Sequence, residues 1–77
     1  MKLSELKINT YAIIISNNIA NKKVRIRLLE LGLVPGSIVK ITKIAPLGDP
    51  IAILIRGYEL CISKKVASYI FIRLKND

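Results

Sequence analysis

A mainly β fold, a small barrel of about five antiparallel strands with one inserted α-helix, is what this sequence predicts. Three observations carry the expectation. Short β-branched runs recur along the 77 residues, separated by Gly, Pro, Asn and Ser. Only the stretch beginning near residue 22 combines helical spacing over several turns with a capping residue before it and a glycine after it. A flat sheet of short isoleucine-rich strands would leave apolar edges open, so the strands are expected to curl and close.

The elements follow in order. Leu3-Ser4-Glu5-Leu6 leads in. Asn9 precedes the first strand, where a tight turn calls for a positive φ that Asn tolerates. Residues 11–16 form that strand, with Tyr11, Ile13 and Ile15 sharing a face, and Asn17-Asn18 closes it. Asn21 is the expected N-cap of a helix over 22–31, on which Val24, Leu28 and Leu31 fall on one stripe. Gly32 is placed to end the helix in the left-handed conformation and to return Leu33 onto Leu28 in a Schellman arrangement. Pro35-Gly36 makes the next turn and bars the helix from continuing.

Residues 37–45 read as the second strand, Val39 and Ile41 inward, Lys40 and Thr42 outward. Ile44 falls on the wrong parity, which predicts a bulge or end twist. Residues 46–50 form a loop bracketed by two prolines. The third strand is expected over 51–56, a tight hairpin turn at Gly57-Tyr58, and the fourth strand over 59–64 with Leu60 and Ile62 inward. Residues 65–68 suffice for one helical turn, and 69–74 read as the last strand. No repeat or linker divides the chain, so one domain over 1–77 of the SH3-like kind is expected.

Charge and composition exclude much chemistry. Thirteen basic side chains stand against five acidic, a net charge of +8, and histidine is absent. A Ser/His/Asp or Cys/His site therefore cannot be assembled. No P-loop pattern occurs. The acids Glu5, Glu30, Asp49, Glu59 and Asp77 are scattered, with no pair at catalytic spacing. The chain is expected not to be an enzyme. Cys61 is the only cysteine, so no intramolecular disulfide can form. Glu59, Cys61 and Ser63 alternate onto one outer face of the fourth strand, but two ligands from one strand do not close a metal site. Neither a metal site nor a cofactor is expected. The longest uncharged stretch, 8–21, is too short and too polar to span a bilayer, and no signal peptide is visible, so a cytoplasmic protein is expected. The positive charge leaves a second reading open, a basic barrel binding nucleic acid. Against it, the lysines run no longer than two and lack interleaved aromatics on a basic face.

The run Arg27-Leu28-Leu29-Glu30-Leu31-Gly32-Leu33-Val34-Pro35-Gly36 carries a resemblance. With its L-G-L-x-P-G ending it resembles the ferrous iron transport protein A family (FeoA). Ala45-Pro46-Leu47-Gly48-Asp49-Pro50 is similar to that family's A-P-L-G-D-P loop, Arg56-Gly57-Tyr58 to its R-G-Y hairpin, and Leu3-Ser4-Glu5-Leu6 to its L-x-x-L lead-in. The resemblance implies an SH3-like barrel with a helical insertion. It also implies a small, non-enzymatic cytoplasmic protein that assists a membrane ferrous-iron transporter carrying a GTP-binding domain (FeoB). For the family as a whole, the resemblance also implies transition-metal-ion binding. Family members often carry Gly before the first strand, where this chain has Asn9.

Four residues are candidate partner contacts. Two prolines restrict the loop 46–50 before any partner arrives, so Leu47 and Asp49 would be displayed at low entropic cost. The structural alternative folds Leu47 back on the barrel and uses Asp49 to cap the turn. Ile26 and Leu29 lie off the helix's core stripe, with Lys22, Lys23, Arg25 and Glu30 around them, as a docking stripe or as ordinary exposure. Tyr69 and Phe71, on the outer parity of the last strand, would line a homo-oligomer contact or pack under residues 3–8; the second is preferred. Gly32, Pro35, Gly36, Gly48 and Gly57 are read as structural turn residues.

Overall fold

Residues 1–75 are described by the computed structural model, and the β-branched runs become strands within a residue or two of expectation. A 3-10 turn, Leu3–Glu5, precedes β1 (Tyr11–Asn17), α1 (Lys22–Glu30), β2 (Ile38–Ile44), β3 (Ile51–Ile55), β4 (Tyr58–Ile62), α2 (Lys64–Ala67) and β5 (Ile70–Leu74). The strands form one antiparallel sheet in the order β4-β3-β2-β1-β5. The segment holding α1 is an excursion from a strand pair, since β1 and β2 themselves pair at Tyr11–Lys40 and Ala12–Val39. It is tied off where Gly36 N–H donates to the Ile14 carbonyl (2.8 Å) and Ile14 N–H to the Ser37 carbonyl (2.9 Å).

The core is made by strand alternation. Ala12 and Ile14, Val39 and Ile41, Ile53 and Ile55, and Ile70 and Ile72 all point inward and are buried. Leu3 and Leu6 from the entry segment, Leu28 from α1 and Ala67 from α2 close the barrel, and no polar side chain is buried among the described residues. Asn9 has the positive φ expected of it, at 66°. The bulge expected near Ile44 is present. The β2–β3 register shifts between Ile41 and Lys43, which brings Ile44 opposite Ile51 at the exposed rim.

The face shared by Tyr11, Ile13 and Ile15 is the outer one, because the β1–β2 register aligns Ala12 with the inward Val39. Several expectations need correction. The sheet does not close by a β4–β5 ladder: those strands are its two edges, and α2 spans between them. The free side of β5 is covered instead by the entry segment, where Ile72 N–H donates to the Met1 carbonyl (2.8 Å) and Lys2 bridges Phe71. Phe71 thus meets the N-terminal segment through its backbone at Lys2, just ahead of residues 3–8, whereas Tyr69 lies beside α1 and α2. The hairpin turn is Arg56-Gly57, with φ of 50° and 82°, and Tyr58 already belongs to β4 opposite Ile55. Two consecutive positive φ values are the hairpin geometry that follows strand twist, and here an arginine adopts one of them.

Candidate interaction surface

α1 begins where the Asn21 side chain accepts a hydrogen bond from Val24 N–H (3.1 Å). It ends in the expected Schellman motif: Leu33 N–H donates to Leu28 C=O and Gly32 N–H to Leu29 C=O, both at 3.0 Å, with Gly32 at φ 102°. The core stripe is narrower than its periodicity suggested. Leu28 is buried, Leu31 is half-buried, and Val24 is 37% exposed. The helix stands off the barrel, held by one apolar side chain, its C-terminal turn, and Arg25, whose Nη1 donates to the Ile19 carbonyl (2.9 Å). Ile26 (43%) and Leu29 (37%) face outward among Lys22, Lys23, Arg27 and Glu30.

The proline-bracketed loop is pinned at its base. Ala45 N–H donates to Pro50 C=O (3.1 Å), and Gly48 N–H to Ala45 C=O (2.7 Å). Asp49 Oδ1 accepts from Lys64 N–H at the start of α2 (2.9 Å). Asp49 is therefore exposed but tethers the loop to α2, while Leu47 stands out at 96% exposure and does not fold back. The remaining turn residues sit as turns: Gly36, Gly48 and Gly57 have positive φ, and Ser37 N–H donates to Val34 C=O (3.0 Å) across Pro35-Gly36.

The four candidates form two patches, Leu47 with Asp49 on the loop and Ile26 with Leu29 on α1. α2 meets the first through Asp49 and shares a groove with the start of α1, on the Val24 side rather than the Ile26 side. That groove was not foreseen. Its walls are far apart in sequence, 45 residues between Val24 and Tyr69, and they meet only because β1 pairs with β5. On the outer face of the sheet, Glu59 Oε2 accepts from Thr42 Oγ1 (2.7 Å) and Cys61 is exposed. Among the described residues no three His, Cys, Asp or Glu side chains come together as a metal-ligand group. No helix among them is long and apolar enough to cross a membrane.

A coiled five-stranded sheet with one inserted helix defines a small SH3-like domain. The comparisons refine the class. A family model described as the FeoA domain matches residues 1–74, and the chain belongs to the FeoA family, which is linked to ferrous iron transport. It is similar to the FeoA protein of Chlorobium tepidum, with 42% identity and a TM-score of 0.90, covering 96% of this chain and 70% of that one. It is also similar to the iron(II) transport protein A of Clostridium thermocellum, with 32% identity and a TM-score of 0.89. That match covers 96% of this chain and only 45% of the other. A third relative is FeoA of Stenotrophomonas maltophilia, solved with zinc, with 29% identity and a TM-score of 0.82 over 94% of this chain and 88% of that one. That protein is described as a prokaryotic SH3 domain protein and suggested as a ferrous iron transport activating factor.

Proposed function

We propose that this chain works as one non-enzymatic module, a small cytoplasmic accessory protein of ferrous iron uptake. It binds the cytoplasmic side of the membrane GTP-binding ferrous transporter (FeoB) and acts by contact. Family membership supports the setting. The observation that carries the contact role is Leu47: a large apolar side chain 96% exposed on a loop tied down at Ala45, Gly48 and Asp49. An apolar group held out on an ordered loop loses little further entropy on docking. The lack of histidine and of paired acids supports a role without catalysis. A pull-down against the transporter's cytoplasmic domain, with and without guanine nucleotide, tests the reading. Retention in at least one nucleotide state is expected, and no retention in either state sinks it.

A further inference from the structure

Between α1 and α2 runs a groove of about 380 Å³ with Ile19, Val24, Val66 and Tyr69 along it and Lys65 beside them. Its walls are fixed in advance. The β1–β5 ladder ends with Asn17 opposite Ile70, and Asn18 N–H then donates to the Tyr69 carbonyl (2.8 Å). One wall is braced by Arg25 on the Ile19 carbonyl, and both helices start at satisfied caps, Asn21 to Val24 and Ser63 to Val66.

Among the described residues Lys65 supplies the only charge in the groove's lining. No carboxylate lines it among the described residues. Lys22 and Lys23 open α1, Lys64 and Lys65 open α2, and neither first turn holds an acid of its own, Asp49 from the loop accepting from Lys64 N–H. For α1 this runs against the helix dipole, which favours acids at the N-terminal end. On the α1 wheel Arg27 lies about 60° and Lys23 about 100° from Val24 on the same side, next to the groove's lining rather than in it, with Glu30 further along that stripe toward the C-terminus. An apolar floor with a basic border complements a segment of opposite character.

Resting on the transporter reading, we propose that this groove receives an acidic segment of the partner's cytoplasmic part. Its apolar side chains would lie on the floor, and its carboxylates would face Lys65 and the basic flank of α1. A flat bilayer does not fill a concave floor, so a lipid surface fits less well.

The test has two arms, each run on variants whose folding is checked by thermal melts. In the first, the transporter's cytoplasmic domain is titrated against the wild type, Lys65→Glu, Tyr69→Ser and Lys40→Glu. Lys40 stands over the Tyr11 ring, 5.0 Å from its centroid, on the sheet rather than in the groove, so Lys40→Glu changes net charge equally. Lys65→Glu and Tyr69→Ser should each weaken binding about tenfold, and Lys40→Glu less than about twofold. In the second arm the probe is a synthetic helical peptide with leucine at i, i+3, i+4 and i+7 and glutamate elsewhere. Its amide-shift changes should concentrate at residues 18–24 and 65–69 and fade with salt, and a lysine-for-glutamate peptide should produce none.

If the domain binds the wild type and Lys65→Glu equally, the groove assignment is wrong and the transporter reading stands. If the domain does not bind while the acidic peptide still fills the groove, the transporter reading falls and the groove's acidic preference is supported. Scattered shifts, or equal shifts from the lysine peptide, overturn the groove assignment. So do phosphatidylglycerol vesicles that displace the acidic peptide from the groove.

Discussion

The Tyr58 hydroxyl donates a hydrogen bond to the Leu31 carbonyl, joining the β3–β4 hairpin to the C-terminal end of α1. Carbonyls in the last turn of a helix have no partner within it, so this bond satisfies an otherwise orphan acceptor. Arg56, two residues earlier, lies over Gly32, one residue after Leu31. The R-G-Y hairpin and the L-G-L turn are thus two halves of one joint. Tyr58→Phe should cost about 1 kcal/mol in urea denaturation, the usual net worth of such a bond. An unchanged midpoint would show that the joint does not contribute to stability.

Gly32 is constrained twice. Its φ is 102°, and an added Cβ would stand 3.0 Å from Arg56 Cδ. Gly57 shares the positive φ but has open space around it. Gly32→Ala should therefore cost more than Gly57→Ala, with about 1–3 kcal/mol for the left-handed conformation alone. Equal losses by calorimetric melting would mean that the Arg56 side chain moves aside freely.

Leu28 carries the helix docking. Leu28→Ala should destabilise by about 2–5 kcal/mol, whereas Val24→Ala, at a surface site, should stay within about 1 kcal/mol. Matching losses in chemical denaturation would contradict the narrow stripe described above.

Leu47→Ala and Ile26→Ser should each leave stability within about 1 kcal/mol, as surface changes do. They should weaken binding to the transporter's cytoplasmic domain by about 1 kcal/mol or more. Melts and titrations on the same samples separate the two effects. Retained affinity in both variants would move the interface off these patches.

Anaerobic calorimetry with Fe(II) should find no stoichiometric site tighter than about 10 μM. The chain has no histidine and one cysteine, and Glu59 beside it is hydrogen-bonded to Thr42. A tight site would require ligands from a second molecule and would appear together with a change in oligomeric state.

Local rules made much of this structure legible from the sequence. Asn9, Asn21 and Gly32 take the conformations that their side chains, or lack of one, favour. Val39 and Ile41 follow strand parity, and Ile44 marked its bulge. The departures lie where tertiary contact overrides local preference. Periodicity placed Val24 in the core, but it measures which residues share a face and not how closely that face approaches the barrel. The hairpin was offset by one because nothing local predicts an arginine at positive φ; pairing of Ile55 with Tyr58 forces it. Of the candidate contacts, the exposure of Ile26 and Leu29 followed from the wheel. The tether from Asp49 to Lys64 spans 15 residues and had no local signal. Asp77, one of the acids counted from sequence, lies outside the described residues.

The pairing of β1 with β5 also governs the order of assembly. Ala12 faces Leu74, Asn17 faces Ile70, and the Met1 carbonyl waits for Ile72. A chain emerging from the ribosome can pair β1 with β2 and β2 with β3, yet it keeps the far side of β1 unsatisfied until residues 70–74 arrive. Until then the open edge of β1 is a template for stray strands, and Ile14 lacks its neighbour Ile72. Synthesis that stalls or ends before Ile70 would therefore yield a sticky fragment rather than a smaller working one.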